Sequence, residues 1–254
     1  MNEKADFLYE KNGAIAVMTW NRPEKRNCFT PEMIDAYYAA LDDFSADPSL
    51  LVAIVAGTGE KAWCAGGDLE TMIPAVTSGR YKINEDPNKR IYSDIWKPII
   101  CAVNGFATLE LVLGTDLCVA AENATFALGE VRWGMIAAGG SHVRLPRSVP
   151  WAVAMELLLT GRPIDAKRAY DVGLVNRVVP LDRLMPTAME LAEQICENGP
   201  LAVRTAKEIA VRAWNHEPAF VHETALFQRV QKSEDAQEGP RSYQERRKPR
   251  FQGR

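Results

Sequence analysis

Short apolar runs and a helical pattern alternate in the first sixty residues. Residues 14–20 and 50–56 are apolar, rich in β-branched side chains and bounded by Gly, Asn or Asp, which is typical of strands. Between them, Thr30 and Pro31 supply an N-cap and a proline at the first helical position. Apolar residues then recur at steps of three and four, which predicts an amphipathic helix: Met33, Ile34, Tyr37, Tyr38, Leu41 and Phe44. The predicted unit is strand, helix, strand.

The alternation continues along the chain. Candidate strands at 98–103, 117–121 and 125–128 surround a short predicted helix at 108–114, and this alternation predicts a parallel α/β sheet. Beyond residue 150 the strand signals thin out, and helices are predicted at 151–160, 165–172, 181–198, 200–215 and 218–232. We therefore expect an α/β core domain in residues 1–195 and a helical module in residues 196–254. The long polar connection 71–97 is of the kind that covers active sites.

Composition and charge exclude several classes of function. The chain has 254 residues, 47% of them hydrophobic, and no apolar run approaches the roughly 20 residues of a membrane span, so we expect no membrane association. Charged residues precede any apolar run at the N-terminus, unlike a secretory signal, and we expect a cytoplasmic location. A net charge of −3 gives no attraction to nucleic acid. Five cysteines without a C-x-x-C pair and three histidines predict no metal site.

A glycine pair follows the second predicted strand. The segment 63–69 reads Trp-Cys-Ala-Gly-Gly-Asp-Leu, and Gly66 and Gly67 would let backbone N–H groups approach a ligand closely. A glycine turn after a strand is also common in proteins without any ligand there. The segment is a candidate binding loop with a purely structural alternative.

Two glutamates follow later strands. Glu110 falls in the first turn of the helix after Val-Asn-Gly, where unpaired N–H groups suit a developing oxyanion; simple compensation of the helix dipole is the alternative. Glu130 lies among aromatic and apolar neighbours in 126–135, where desolvation would raise the pKa of its carboxyl towards neutrality, as an acid/base catalyst requires. Its alternative is a surface carboxylate paired with Arg132.

Two enzyme classes fit the sequence poorly: nicotinamide-dependent oxidoreductases and serine hydrolases. Residues 57–62, Gly-Thr-Gly-Glu-Lys-Ala, formally match a relaxed dinucleotide-binding pattern, but no clear helix follows and positions 76–82 contain no acid to hold a ribose. No G-x-S-x-G elbow is present, and His142 after Ser141 is better explained as a polar packing residue than as a triad base. A binding or scaffolding protein is opposed mainly by the presence of both Glu110 and Glu130.

Nine short segments occur in a fixed order along almost the whole chain. They include Asn-Arg-Pro-Glu-Lys-Arg-Asn at 21–27, Cys-Ala-Gly-Gly-Asp-Leu at 64–69 and Arg-Leu-Pro-Arg at 144–147, and the others are 97–99, 103–105, 126–140, 158–162, 173–176 and 233–240. Agreement of so many segments in one order is not expected by chance. In this order and spacing the chain resembles the enoyl-CoA hydratase/isomerase (crotonase) family.

The resemblance implies an α/β fold, a crotonase-like spiral of repeated β-β-α units with a C-terminal helical trimerisation module. It implies a homotrimer or a dimer of trimers, an acyl-CoA substrate, and no metal or redox cofactor. By position, Gly67 matches an oxyanion-hole donor, and Glu110 and Glu130 match the two catalytic glutamates of the family's hydratases. The residues expected along the CoA moiety are Arg26, Ala65, Gly66, Gly67, Asp68 and Leu69.

Enoyl-CoA hydration is the function that this resemblance favours. The alternatives are an enoyl-CoA isomerase with Glu130 as its base, another acyl-CoA lyase or hydrolase of the crotonase type, and a catalytically impaired CoA-binding member.

The chain departs from the family pattern before Glu110. Members usually carry a run of glycines between Asn-Gly and the helix of the first glutamate, and one of them gives the second oxyanion-hole N–H. Here Phe106-Ala107-Thr108 leads directly into Leu109-Glu110, about three residues short. We expect Thr108 to be the N-cap of a truncated helix, with Gly67 as the surviving donor of an incomplete oxyanion hole and Glu110 rotated away from Glu130.

Overall fold

The computed structural model describes residues 5–82 and 86–253. Within these ranges the strands are β1 (Phe7–Asn12), β2 (Ile15–Trp20), β3 (Val52–Gly57), β4 (Ala62–Cys64), β5 (Ile99–Val103), β6 (Phe106–Thr108), β7 (Leu117–Ala121), β8 (Thr125–Ala127), β9 (Ile164–Asp165) and β10 (Arg177–Val179). The α-helices are α1 (Pro31–Ala46), α2 (Met72–Thr77), α3 (Leu109–Val112), α4 (Ser141–Ser148), α5 (Trp151–Thr160), α6 (Ala166–Asp171), α7 (Leu184–Cys196), α8 (Pro200–Ala213), α9 (Glu217–Gln231) and α10 (Glu234–Gln244).

The strands form two sheets that the chain visits in turn. One sheet has the order β1-β2-β3-β5-β7-β10 and is parallel except for the β1–β2 hairpin; the other has the order β4-β6-β8-β9. Each of β3, β5 and β7 is followed by a short strand in the second sheet and then by a helix. This confirms the predicted spiral of β-β-α units, because each of these three turns of the chain adds one strand to each sheet.

The predicted strand–helix–strand unit is present at 15–57. Thr30 caps α1, its hydroxyl accepting a hydrogen bond from the N–H of Met33 at 3.3 Å, and the periodic residues form the buried face of the helix. Val52 to Ala56 in β3 are all buried, as expected for a central parallel strand. On the other face of this sheet, α7 packs Leu184, Ala188 and Ala192 against the apolar side chains of β3, β5 and β7.

The C-terminal part is helical, as the sequence predicts, but the last helix, α10, was not predicted. The helix α10 is capped by Ser233, but Gly239 and Pro240 inside it conceal its pattern. Gly239 is required at that position because any side chain would overlap the backbone carbonyl of Trp133. Tyr243 completes this contact with an edge-on ring at 5.3 Å from Trp133. The last helix is therefore packed against the segment that carries Glu130.

The boundary between residues 195 and 196 stays a prediction, since α7 ends at Cys196 and packs on the sheet of the core. No helix within the described residues is long and apolar enough to cross a membrane. The described part also contains no cluster of three or more His, Cys, Asp or Glu side chains that could hold a metal ion.

Candidate active site

Three parallel strands of the second sheet bring the candidate catalytic residues to one edge. In the register of this sheet Cys64 of β4 lies beside Ala107 of β6, and Thr108 of β6 lies beside Ala127 of β8. Gly67, Glu110 and Glu130 each follow within three residues of the end of one of these strands. Because the carboxyl ends of parallel strands meet at one edge, residues far apart in sequence share one site.

The Glu110 carboxylate is fixed by a turn before α4. Its Oε1 accepts a hydrogen bond from the backbone N–H of Ala138 at 2.8 Å and another, short one from the N–H of Gly139. Gly139 must be glycine here, since a Cβ at that position would overlap the Glu110 side chain. Two N–H donors on one oxygen favour the ionised form of the carboxyl.

The two glutamates differ in their tendency to ionise. Burial raises the pKa of the Glu110 carboxyl, and the N–H groups of Ala138 and Gly139 oppose this rise. Burial, reinforced by the negative charge of Glu110, raises the pKa of Glu130 to about 8. Within the described residues no ion pair joins Glu130 to Arg132, so the alternative of a paired surface carboxylate is wrong. Both carboxyls therefore have raised pKa values, and the rise for Glu110 is opposed by two N–H donors of the turn that binds it.

Gly66 and Gly67 form the loop expected to hold a thioester oxygen. Gly66 adopts a left-handed φ of +100° and its carbonyl accepts a hydrogen bond from the N–H of Phe29 at 3.0 Å. The N–H of Asp68 donates to the carbonyl of Phe29, so Phe29 binds the residues on both sides of Gly67. In this arrangement the N–H of Gly67 points away from Phe29, and it has no partner among the described residues. The loop therefore offers one free donor at the site.

The remaining residues predicted to contact CoA form one continuous strip beside this loop. The carbonyl of Arg26 accepts a hydrogen bond from the N–H of Ala65 at 3.2 Å, and the Arg26 side chain is exposed. The Asp68 carboxylate is engaged within the protein, in an ion pair with Arg22 at 2.6 Å and with the N–H groups of Glu70 and Thr71. Leu69 is half-buried. Asp68 thus shapes the loop, and contact of Arg26 and the loop backbone with CoA stays a prediction.

Comparison with known proteins gives the family. A sequence profile described as enoyl-CoA hydratase/isomerase matches residues 10–254. The chain belongs to this family. The Mycobacterium tuberculosis protein named enoyl-CoA hydratase EchA19 is 38% identical, over 98% of this chain and 97% of the relative. A carnitinyl-CoA dehydratase of Salmonella enteritidis PT4 is also 38% identical, over 96% of this chain and 97% of the relative.

Solved structures of the same family superpose along the whole chain. The carnitinyl-CoA hydratase from Mycobacterium avium has a TM-score of 0.89 at 36% identity and covers 99% of this chain and all of its own. EchA1_1 from Mycobacterium paratuberculosis has a TM-score of 0.88 at 37% identity, with 99% and 100% coverage. The crotonase fold expected from the sequence is thus confirmed.

The segment before Glu110 is as short in the structure as in the sequence. The strand β6 ends at Thr108 and α3 begins at Leu109, so no glycine of the kind usual in the enoyl-CoA hydratase/isomerase family separates them. Thr108 does occupy the N-cap position with an extended backbone, as expected, but its side chain accepts no capping hydrogen bond. The negative charge of Glu110 contributes to the raised pKa of Glu130, and the rotation of Glu110 away from Glu130 stays a prediction.

Sequence reasoning missed the turn that holds Glu110. Gly139 and Gly140 were visible as a glycine pair, but nothing in the sequence indicates that their N–H groups meet a side chain 29 residues earlier. Tyr38 was predicted only as a core residue of α1; burial and the charge of Glu110 raise its pKa to about 12, which places it beside the site.

A cavity of about 860 Å³ lies between α8, α9 and the end of α3, and Arg144 and Phe220 are among its lining residues. Its walls include an ion pair of Asp116 and Lys207 at 2.7 Å, and it is not lined by Gly67, Glu110 or Glu130. The candidate active site is therefore defined by its carboxyls and free donor rather than by cavity size.

Proposed function

We propose that this protein is an enoyl-CoA hydratase, which adds water across the double bond of a 2-enoyl-CoA. The observation that carries the proposal is a pair of half-buried glutamates in unlike surroundings: two N–H donors bind the Glu110 carboxyl, and the pKa of Glu130 is raised to about 8. Hydration needs a base for water and an acid for the α-carbon at the same time, and two carboxyls with separated pKa values supply both.

Each group has one task in the proposed reaction. Glu110 takes a proton from water, and the resulting hydroxide attacks the β-carbon of the enoyl group. Electron density moves to the thioester oxygen, where the N–H of Gly67 stabilises the enolate. Glu130 then delivers its proton to the α-carbon, so that water has been added across the double bond.

The substrate carries coenzyme A as part of itself, and no separate cofactor is required. Arg26 and the loop from Ala65 to Leu69 would lie along the CoA moiety, with the exposed guanidinium available to its phosphates. We further propose a cytoplasmic homotrimer or dimer of trimers. Exposed apolar side chains on α8, such as Leu201 (71% exposed) and Ile209 (65%), support self-association of the helical module.

The second candidate is isomerisation of a 3-enoyl-CoA, which needs mainly one base, Glu130. Two substrates separate the functions. Crotonyl-CoA loses its conjugated enoyl absorbance on hydration, whereas a 3-enoyl-CoA gains it on isomerisation. We expect the enoyl absorbance of crotonyl-CoA to be lost. Carnitinyl-CoA belongs in the same panel, in the dehydration direction, because it is named in several relatives. Absence of turnover with every acyl-CoA would contradict the proposal.

Glu110→Gln should slow hydration more than isomerisation. The glutamine oxygen can still accept from Ala138 and Gly139, so the turn is preserved, but an amide cannot take a proton from water. The measurement is kcat for crotonyl-CoA and for a 3-enoyl-CoA in the same preparation. Equal losses in the two reactions would indicate a structural role for Glu110 instead.

The hydration rate should fall at alkaline pH with a midpoint near 8. Glu130 must be protonated to act as the acid, and its raised pKa of about 8 keeps the proton in place up to that pH. Above it, kcat/KM should decrease about tenfold per pH unit. In Glu110→Gln the midpoint should move to lower pH, because the negative charge that helps raise the pKa of Glu130 is gone. An alkaline limb that stays in place in this variant would contradict the electrostatic pairing of the two glutamates.

A further inference from the structure

A buried ion pair joins the segment before β5 to the C-terminal helices. Arg90 Nε donates to Glu223 Oε2 of α9 at 2.8 Å, and the two side chains are only 1% and 3% exposed. Arg90 Nη2 also donates to the carbonyl of Phe220 at 2.7 Å and to the hydroxyl of Thr224 at 2.8 Å. These contacts link the polar connection 71–97 to α9 deep inside the protein.

The pair lies directly behind the turn that holds Glu110. Gly140, which follows the Gly139 donor, has a φ of +90°, and a Cβ there would lie 3.0 Å from Arg90 Cγ and 3.0 Å from the ring of Phe220. The guanidinium of Arg144 donates to the carbonyl of Gly139 at 3.4 Å and stands over the same ring. The back of the turn is therefore packed on Arg90, Phe220 and Arg144.

We propose that Arg90 and Glu223 are positioning residues, which hold the 138–140 turn against the Glu110 carboxylate and balance the charge behind it. The proposal rests on the proposed function of Glu110 as the base for water. It makes α9 part of the acid/base machinery, because Glu223 of α9 pairs with Arg90 behind the 138–140 turn. Removal of one partner of such a buried ion pair is destabilising, because it leaves the charge of the other partner uncompensated.

The two members of the pair act on Glu110 in opposite directions. The negative charge of Glu223 raises the pKa of Glu110, and the positive charge of Arg90 lowers it. Glu223 Oε1 has no hydrogen-bond partner among the described residues, and His142 Nδ1 lies 3.8 Å from it with a pKa lowered by burial. Arg90 is therefore the charge that compensates Glu223.

Several other groups surround Glu110, and the test leaves them unchanged. The charge of Glu110 acts on Glu130 after β8, Tyr38 on α1 and Cys64 on β4. His142 and Arg144 on α4 contact the backbone of Ala137 and Gly139, next to the turn that binds Glu110.

Three variants test the pair. In Glu223→Gln the remaining Arg90 charge should move the acid limb of the kcat/KM profile to lower pH; in Arg90→Gln the remaining Glu223 charge should move it to higher pH. On the acid limb this corresponds to changes in kcat/KM of roughly threefold in opposite directions. The double variant, with a neutral pair, should return close to the wild-type midpoint. Asp171→Asn, which breaks the exposed ion pair with Lys167, is the matched control and should not move the limb.

An NMR titration of Glu110 does not depend on turnover, so it tests the role of Arg90 and Glu223 separately from the proposed hydratase function. In protein labelled with ¹³C at the glutamate carboxyls, the Glu110 resonance is assigned by its loss in Glu110→Gln and followed against pH in each variant. Opposite movements in the two single variants support the proposal, even if no enoyl-CoA is hydrated and the proposed function fails. Movement in the same direction, or none, would overturn it. If Arg90→Gln does not fold, Arg90→Lys should keep the wild-type midpoint while Glu223→Gln moves it to lower pH; an unmoved midpoint in Glu223→Gln would overturn the proposal.

Discussion

Glu130→Gln should lower kcat for hydration by roughly 10²–10⁴-fold, the usual effect of removing a general acid. The amide keeps the size and the apolar surroundings of the carboxyl but has no proton to give to the α-carbon. KM should change little, because Glu130 contributes to the transition state rather than to binding of CoA. Steady-state kinetics with crotonyl-CoA measure both constants. Undiminished turnover would remove Glu130 from the mechanism.

The same variant should be more stable than the wild type at neutral pH, which separates a catalytic loss from unfolding. The folded-state pKa of Glu130, about 8, lies above the value in an unfolded chain. Its contribution to stability is therefore fully present below the ordinary carboxyl pKa and is lost as pH rises through about 8. Glutamine has no such dependence. Thermal unfolding between pH 5 and pH 8 should show the difference growing with pH, whereas Glu156→Gln on the exposed face of α5 should show none.

Local chemistry explains which parts of the fold were predictable. The cap at Thr30 and the periodic apolar face of α1 are properties of neighbouring residues, so sequence alone defines that helix. The strands β4 and β6 were not predicted, because three residues are too few to show a period of two; both are paired in parallel in the second sheet. The helix α4 was missed because Pro146 lies inside it.

In the candidate site, too, the sequence identifies single residues but not the tertiary contacts between them. Glu110 and Glu130 could be selected from the sequence because each follows a strand and matches a family position. Their partners could not, since the N–H groups of Ala138 and Gly139 meet Glu110 only through tertiary folding. The pair of Arg90 and Glu223 is separated by 133 residues and carries no motif. That these two charged residues are buried together can be seen only in the folded structure.

Insertion of three glycines after Thr108 should raise kcat for hydration by about 10²–10³-fold. The strand β6 passes directly into α3, and Gly67 is the candidate oxyanion donor with a free N–H. A second N–H at the thioester oxygen is worth about 3–4 kcal/mol in reactions of this type. Side chains at Thr108 and Leu109 keep the backbone from approaching the oxygen as closely as glycine would, and they disfavour positive φ. The insertion restores both the length and the freedom of this turn.

The comparison requires an intact-mass measurement of both proteins, followed by kcat and by the affinity for a non-reactive acyl-CoA analogue. Affinity should be nearly unchanged, because the missing donor acts on the developing charge rather than on the CoA moiety. Three glycines placed after Gly13, in the exposed turn between β1 and β2, provide the matched control, and they should alter neither constant. Full hydratase activity in the original chain, unaffected by the insertion at Thr108, would show that the short turn already supplies two donors, the second from the first turn of α3.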